Sequence, residues 1–248
     1  MRIKIYVVFL FYFLSFIQSC SNVEYSLINI GETQLLIPTL TGYYYINDLP
    51  IDAKLFLETF DIEGAGIGNK RIATFITEND KSKVINNETP DMSSYIYIEI
   101  YKDWELKNFS KEEFLEVKLM AKKHHIESAE EAKNDIELII SNKAELLYEE
   151  FNISMDYKLE ETHILGILFE NDNSIGLGAL MKYNVLINNK NLDYVMIGAF
   201  SITKVNNKVI YLYVKNELQH KEDIDLTSTL IKKWTNQILE VNKEDDVK

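Results

Sequence analysis

Cysteine is almost missing from this chain: Cys20 is the only one in 248 residues. An intramolecular disulfide is therefore excluded, and stability must come from packing. Proline is scarce at 3 residues and glycine at 9, which argues against long extended linkers and low-complexity tracts. Positive charge is also in short supply. Lys and Arg total 26 against 39 Asp and Glu, a formal net charge of −13. The first 19 residues hold Arg2 and Lys4 and no acid, so without them the balance is −15. Such a chain repels phosphate backbones, and its basic residues run no longer than pairs such as Lys122–Lys123 and Lys232–Lys233. Nucleic acid is not an expected partner.

What is present begins with an address. Arg2 and Lys4 precede an apolar stretch from Ile5 to Ile17. Its length suits the core of a secretory leader and is short for a membrane span. It runs into Phe16-Ile17-Gln18-Ser19-Cys20, which resembles a bacterial lipobox, with Ile17 and Ser19 at the aliphatic and small positions. The resemblance implies cleavage before Cys20 and lipid attachment to its thiol. It also explains why the lone thiol falls where it does. A leader without lipid, cut nearby, and an uncleaved anchor helix are the alternatives. Ser21 follows the cysteine where an Asp would imply inner-membrane retention, so the resemblance implies the periplasmic face of the outer membrane. The expected layout is a lipoprotein signal peptide over 1–19, a tether over 20–34, one α+β domain over 35–242 and a charged tail over 243–248.

Within the domain the hydrophobic period changes twice. Residues 42–46, 71–77 and 95–101 read as strands, with a short amphipathic helix over 50–60 between the first two. Ser110-x-x-Glu113 and Ser128-x-x-Glu131 fit the capping box and predict helices over 111–125 and 129–150. From Ile153 the period becomes two. Four strands are expected at 163–170, 176–187, 193–204 and 208–214, separated by Asn-rich turns suited to positive φ. A helix over 223–241 places Leu230, Trp234 and Ile238 on one face. The expected class is α+β: a twisted antiparallel sheet flanked by helices and closed by a carboxy-terminal amphipathic helix. The stretch from Gly178-Ala179-Leu180-Met181-Lys182-Tyr183 through Lys208-Val209-Ile210-Tyr211-Leu212-Tyr213-Val214 to Trp234 resembles the PsbP/DcrB-like fold. It also looks like a group of uncharacterised exported bacterial proteins with the same ending. The resemblance implies a binding or assembly module and no catalytic residues.

Candidate chemistry is sparse. Gly64-Ala65-Gly66-Ile67-Gly68 fails the dinucleotide fingerprint because Asn69 stands at its last glycine, and Asp61 and Glu63 beside it repel phosphate. His124-His125 with Glu127 point too far apart on a helix to share one metal ion and instead complement its carbonyl end. No metal or cofactor is expected. Glu161 and His163 share strand parity and could form an acid–base pair. That pair carries the alternative reading, an envelope hydrolase; no Gly-x-Ser-x-Gly elbow accompanies it. The 15 Tyr are the more notable excess. Tyr43, Tyr44, Tyr45, Tyr95 and Tyr97 form a candidate binding surface, since Tyr offers rigid contact area with a polar tip to an envelope protein or a glycan. The bland reading is that Tyr is simply a good strand former.

Overall fold

A computed structural model describes residues 24–60, 68–86, 88–124, 148–149, 154–187 and 190–243. The expected leader over 1–19, Cys20, most of the Gly-rich loop, the expected helix over 129–150 apart from residues 148–149, and the end of the tail lie outside the described residues. So do His125, Glu127 and the His124 side chain.

The larger sheet is assembled from two antiparallel runs. The amino-terminal run comprises β3 (Tyr43–Tyr45), β4 (Asn69–Thr77) and β5 (Ser94–Tyr101). The carboxy-terminal run comprises β6 (Met155–Asn171), β7 (Ser174–Ile187), β8 (Lys190–Val205) and β9 (Lys208–Glu217). Their order is β3-β4-β5-β9-β8-β7-β6, so the last strand of each run pairs with the other. Tyr97 stands opposite Tyr213 and Ile98 opposite Leu212 at this joint. The class is therefore α+β around a seven-stranded antiparallel sheet.

Turn chemistry explains the succession of hairpins. Asn206 and Asn207 have φ of 45° and 63° and join Val205 to its partner Lys208. Positive φ at both central residues matches the right-handed twist of the flanking strands, and Asn tolerates it. The Asp172-Asn173 turn works differently. The Asn171 side chain accepts from the Asn173 backbone N–H at 2.9 Å, and no positive φ is needed.

Four helices are described: α1 (Ile51–Phe60), α2 (Glu78–Ile85), α3 (Lys111–His124) and α4 (Glu222–Val241). The capping box predicted at α3 is present. Glu113 N–H donates to Ser110 Oγ at 3.1 Å, and Ser110 N–H donates to Glu113 Oε2 at 2.8 Å. Among the described residues no helix is long and apolar enough to cross a membrane.

The expected tether over 20–34 is corrected. β1 (Tyr25–Ile30) and β2 (Thr33–Pro38) form a separate two-stranded hairpin in full register. The first strand reads as tether because it is short and half-solvated, so its period-two signal is weak. Ile28, Ile30, Leu35 and Ile37 of the hairpin join Ile231, Trp234 and Ile238 of α4 in one core with Phe75, Ile98 and Leu212 of the sheet. Hairpin and α4 thus share one face of the sheet. Asn242, just past α4, stitches them together: its amide accepts from Leu36 N–H at 2.9 Å and donates to Leu36 O at 2.7 Å. A side-chain amide here takes the place of a neighbouring strand. At the hairpin turn Gly31 has φ of 57°, and a Cβ there would stand 2.7 Å from the Glu105 carbonyl oxygen. Only glycine lets the turn lie this close to that loop.

Both edges of the larger sheet are blunted. β3 is 3 residues long, and β6 carries register shifts between Leu159 and Glu161, Ile164 and Gly166, and Ile167 and Phe169. Bulges twist an edge away from a straight template, which hinders pairing with another chain.

Candidate functional site

The face of the sheet opposite α4 carries the concentration of aromatic and ionised groups. Tyr95, Tyr97 and Glu99 alternate along β5 and look onto Lys215, Tyr213 and Tyr211 of β9. Tyr97 stacks on Tyr213 with centroids 4.5 Å apart, and on Tyr95 at 5.9 Å; Phe200 of β8 extends the stack from Tyr213 at 5.7 Å. The Arg71 guanidinium lies 3.7 Å above the Tyr97 ring and 3.1 Å from Glu99 Oε1. Asn69 donates to the other Glu99 oxygen at 3.0 Å. The Lys215 amine is 5.9 Å from the Tyr97 ring.

The centre of this cluster is buried, while Arg71, Phe200, Tyr211 and Tyr213 around it are partly exposed. Tyr95, Tyr97, Glu99 and Lys215 are 7%, 3%, 3% and 6% exposed. Burial raises the phenols of Tyr97 and Tyr213 well above their ordinary value, and they stay protonated at any physiological pH. Burial pushes Lys215 the other way, down to about 7, because its charged form gives up solvation by water there. A protonated phenol and a half-neutral amine are competent to hold and move protons. Their burial, however, gives them a structural part as the polar seam between the two runs.

Glu99→Leu should cost about 3–5 kcal/mol in urea unfolding, because a buried guanidinium loses the carboxylate facing it. Adding Arg71→Met should restore most of that loss, since an apolar pair of similar volume tolerates burial. A double variant no better than Glu99→Leu alone would overturn this account of the seam.

A second feature opens to solvent. A cleft of about 300 Å³ lies between the ends of β5 and β9 and the start of α4, lined by Ser94, Asn216, Glu217, Asp223, Thr227 and the apolar Leu226 among others. A hydrogen-bonded string runs through it. Tyr43 OH and Ser94 Oγ are 2.6 Å apart, Ser94 Oγ donates to Asn216 Oδ1, and Asn216 Nδ2 donates to Thr227 Oγ1 at 2.8 Å. The Asp223 carboxylate accepts backbone N–H groups of His220 and Gln219, which hold it below the usual carboxylate range. The cleft therefore sets a largely self-bonded string of hydroxyls and amide, and the negative charge of Glu217 and Asp223, beside the apolar Leu226.

The sequence-predicted site residues scatter. Tyr43 and Tyr45 are partly buried beside the core; Tyr45 lies 5.1 Å from Phe75, and Asn47 donates to its hydroxyl at 2.6 Å. Tyr44 points to the other face, with the Lys81 amine 3.6 Å over its ring. Tyr95 and Tyr97 present no open contact area, because β5 is buried from Tyr95 to Ile100 on both faces. One signal was available: in Tyr95-Ile-Tyr-Ile-Glu-Ile-Tyr101 both parities are bulky, the mark of a strand covered on both sides. Glu99, Arg71 and Lys215 were overlooked; a single acid amid such a run was the visible clue. Glu161 and His163 are both exposed on the edge strand β6, opposite Lys182 and Leu180. His220 is exposed as well.

No protein-family model matches the chain, and no curated protein matches it.

Proposed function

We propose that this protein is a lipid-anchored envelope protein, held by acyl chains on Cys20 at the periplasmic face of the outer membrane, which acts as a non-catalytic binding or assembly module. The anchor reading is carried by the coincidence of the apolar leader with the chain's only thiol. In this reading the domain is of PsbP-like type, with α4 closing one face of the twisted sheet.

The rival, an envelope hydrolase using Glu161 and His163, needs those groups to be desolvated and placed beside a substrate. Both are exposed on a bulged edge strand, which favours the binding module. The cleft fits an uncharged partner such as a glycan better than an anionic one, since Glu217 and Asp223 line it. Envelope protein partners fit the same reading through the domain's exposed surface.

The Cys20→Ser protein should move from the envelope fraction to the soluble periplasm, and mass spectrometry of the native mature amino terminus should find an acylated Cys20. Retention of the serine variant with the envelope would overturn the anchor. Crosslinking of the native protein should recover a reproducible neighbour; its absence would count against the assembly role.

A further inference from the structure

The β1–β2 hairpin covers the core with one face and leaves the other open. Tyr25, Leu27 and Leu36 on that outer face are 47%, 56% and 41% exposed. Their placement along the hairpin is uneven. Leu27 stands opposite Leu36 and Tyr25 opposite Pro38, at the open end where the chain enters. Asn29 stands opposite Gln34 next to the turn at Gly31 and Glu32, and both are exposed. The outer face is thus apolar toward the amino terminus and polar toward the turn.

Cys20 precedes Tyr25 by five positions. Even fully extended, that length of chain spans only about 17 Å. A lipid on Cys20 would therefore hold the apolar end of the hairpin at the membrane and the polar end away from it. We infer that Tyr25, Leu27 and Leu36 form a lipid-facing seat that rests in the interfacial zone of the bilayer and sets the orientation of the domain. This rests on the anchor proposed above.

The chemistry suits that occupant. Tyr and Leu partition into the interfacial layer, the Tyr ring keeping its hydroxyl among the headgroups. An acyl anchor alone limits distance but leaves rotation unrestrained; side chains in the interface remove that freedom. Glu24 beside the patch and the strongly negative chain exclude attraction to anionic lipid, so contact with a zwitterionic surface must be apolar. The platform is also rigid. Asn242 ties Leu36 to the end of α4, and Trp234 Nε1 donates to Pro38 O at 2.9 Å. Whatever orients the hairpin orients the whole core.

The test uses the full-length, acylated protein in phosphatidylcholine vesicles. With Cys20 acylated no other thiol remains, so Tyr25→Cys, Leu27→Cys, Leu36→Cys, Asn29→Cys and Gln34→Cys each carry one environment-sensitive fluorophore. Labels at 25, 27 and 36 should shift to the blue and be quenched several-fold more by headgroup-nitroxide lipid than labels at 29 and 34. The latter should be quenched by aqueous iodide. The lipid contact should survive high salt, unlike charge-driven adsorption. Equal iodide quenching at 27, 34 and 36 on a protein shown to be acylated overturns the seat and leaves the anchor standing. Shielding from iodide without nitroxide quenching means that a protein, or a second copy of this chain, covers the patch, and also overturns it. An amino-terminal peptide lacking acyl mass overturns the anchor and the seat together.

Discussion

Trp234→Ala should lower unfolding stability by about 4 kcal/mol or more. Trp234 is fully buried where α4, the hairpin and the sheet meet, with its ring edge-on to Phe75 at 5.9 Å. Removing a buried Trp leaves a cavity that neighbours refill only in part, at about 3–5 kcal/mol. The Pro38 carbonyl also loses its donor, which adds about 1–3 kcal/mol if no water replaces it. A domain of this size is stabilised by only about 5–15 kcal/mol, so the variant should be partly unfolded at 37 °C. Trp234→Phe separates the two contributions, keeping most of the volume and losing the N–H. Its urea midpoint should fall less than half as far. If alanine costs under about 1.5 kcal/mol, Trp234 is not at the junction described.

Lys215→Met should have the opposite sign. The amine is charged in the unfolded chain up to about pH 10.5, but burial brings it down to about 7 in the folded one. Below pH 7 it is protonated in both states, and the folded chain carries a buried charge. Between about pH 7 and 10.5 the unfolded state binds more protons, so stability rises with pH across that window. Taken whole, the displacement corresponds to roughly 5 kcal/mol of destabilisation at low pH. The contact of the ammonium with the Tyr97 ring offsets part of it. Lys215→Met should therefore gain about 2 kcal/mol or more at pH 6 and remove most of the upward slope between pH 7 and 10. Loss of stability at pH 6, or an unchanged slope, would show that the amine is solvated or paired more strongly than its surroundings imply.

Local chemistry was legible where its signal is local. The Ser110–Glu113 box, the α4 stripe of Trp234 and Ile238, and the Asn206-Asn207 turn each depend on residues a few positions apart, and each has its expected form. The first strand of the hairpin, residues 25–30, falls within the expected tether because it is short and one face is wet. The candidate Tyr surface failed at Tyr95 and Tyr97 for a different reason. Parity says which side of a strand a ring is on, but not whether that side is covered. Arg71, Glu99 and Lys215 stayed hidden because their significance lies in pairing across strands far apart in sequence.

From the sequence alone follow the period of each segment, the absence of a disulfide within the chain, the excess of negative charge and the coincidence of an apolar amino-terminal stretch with the single thiol. These are properties of composition or of neighbours along the chain. Only the tertiary structure decided that β5 pairs with β9, for that register is chosen by the summed packing of both faces over a separation of more than a hundred residues. The same long-range choice buries the Tyr-rich layer and lays the hairpin beside α4. It also turns Tyr25, Leu27 and Leu36 outward, because a strand whose inner residues fill the core must present the alternate ones to its surroundings.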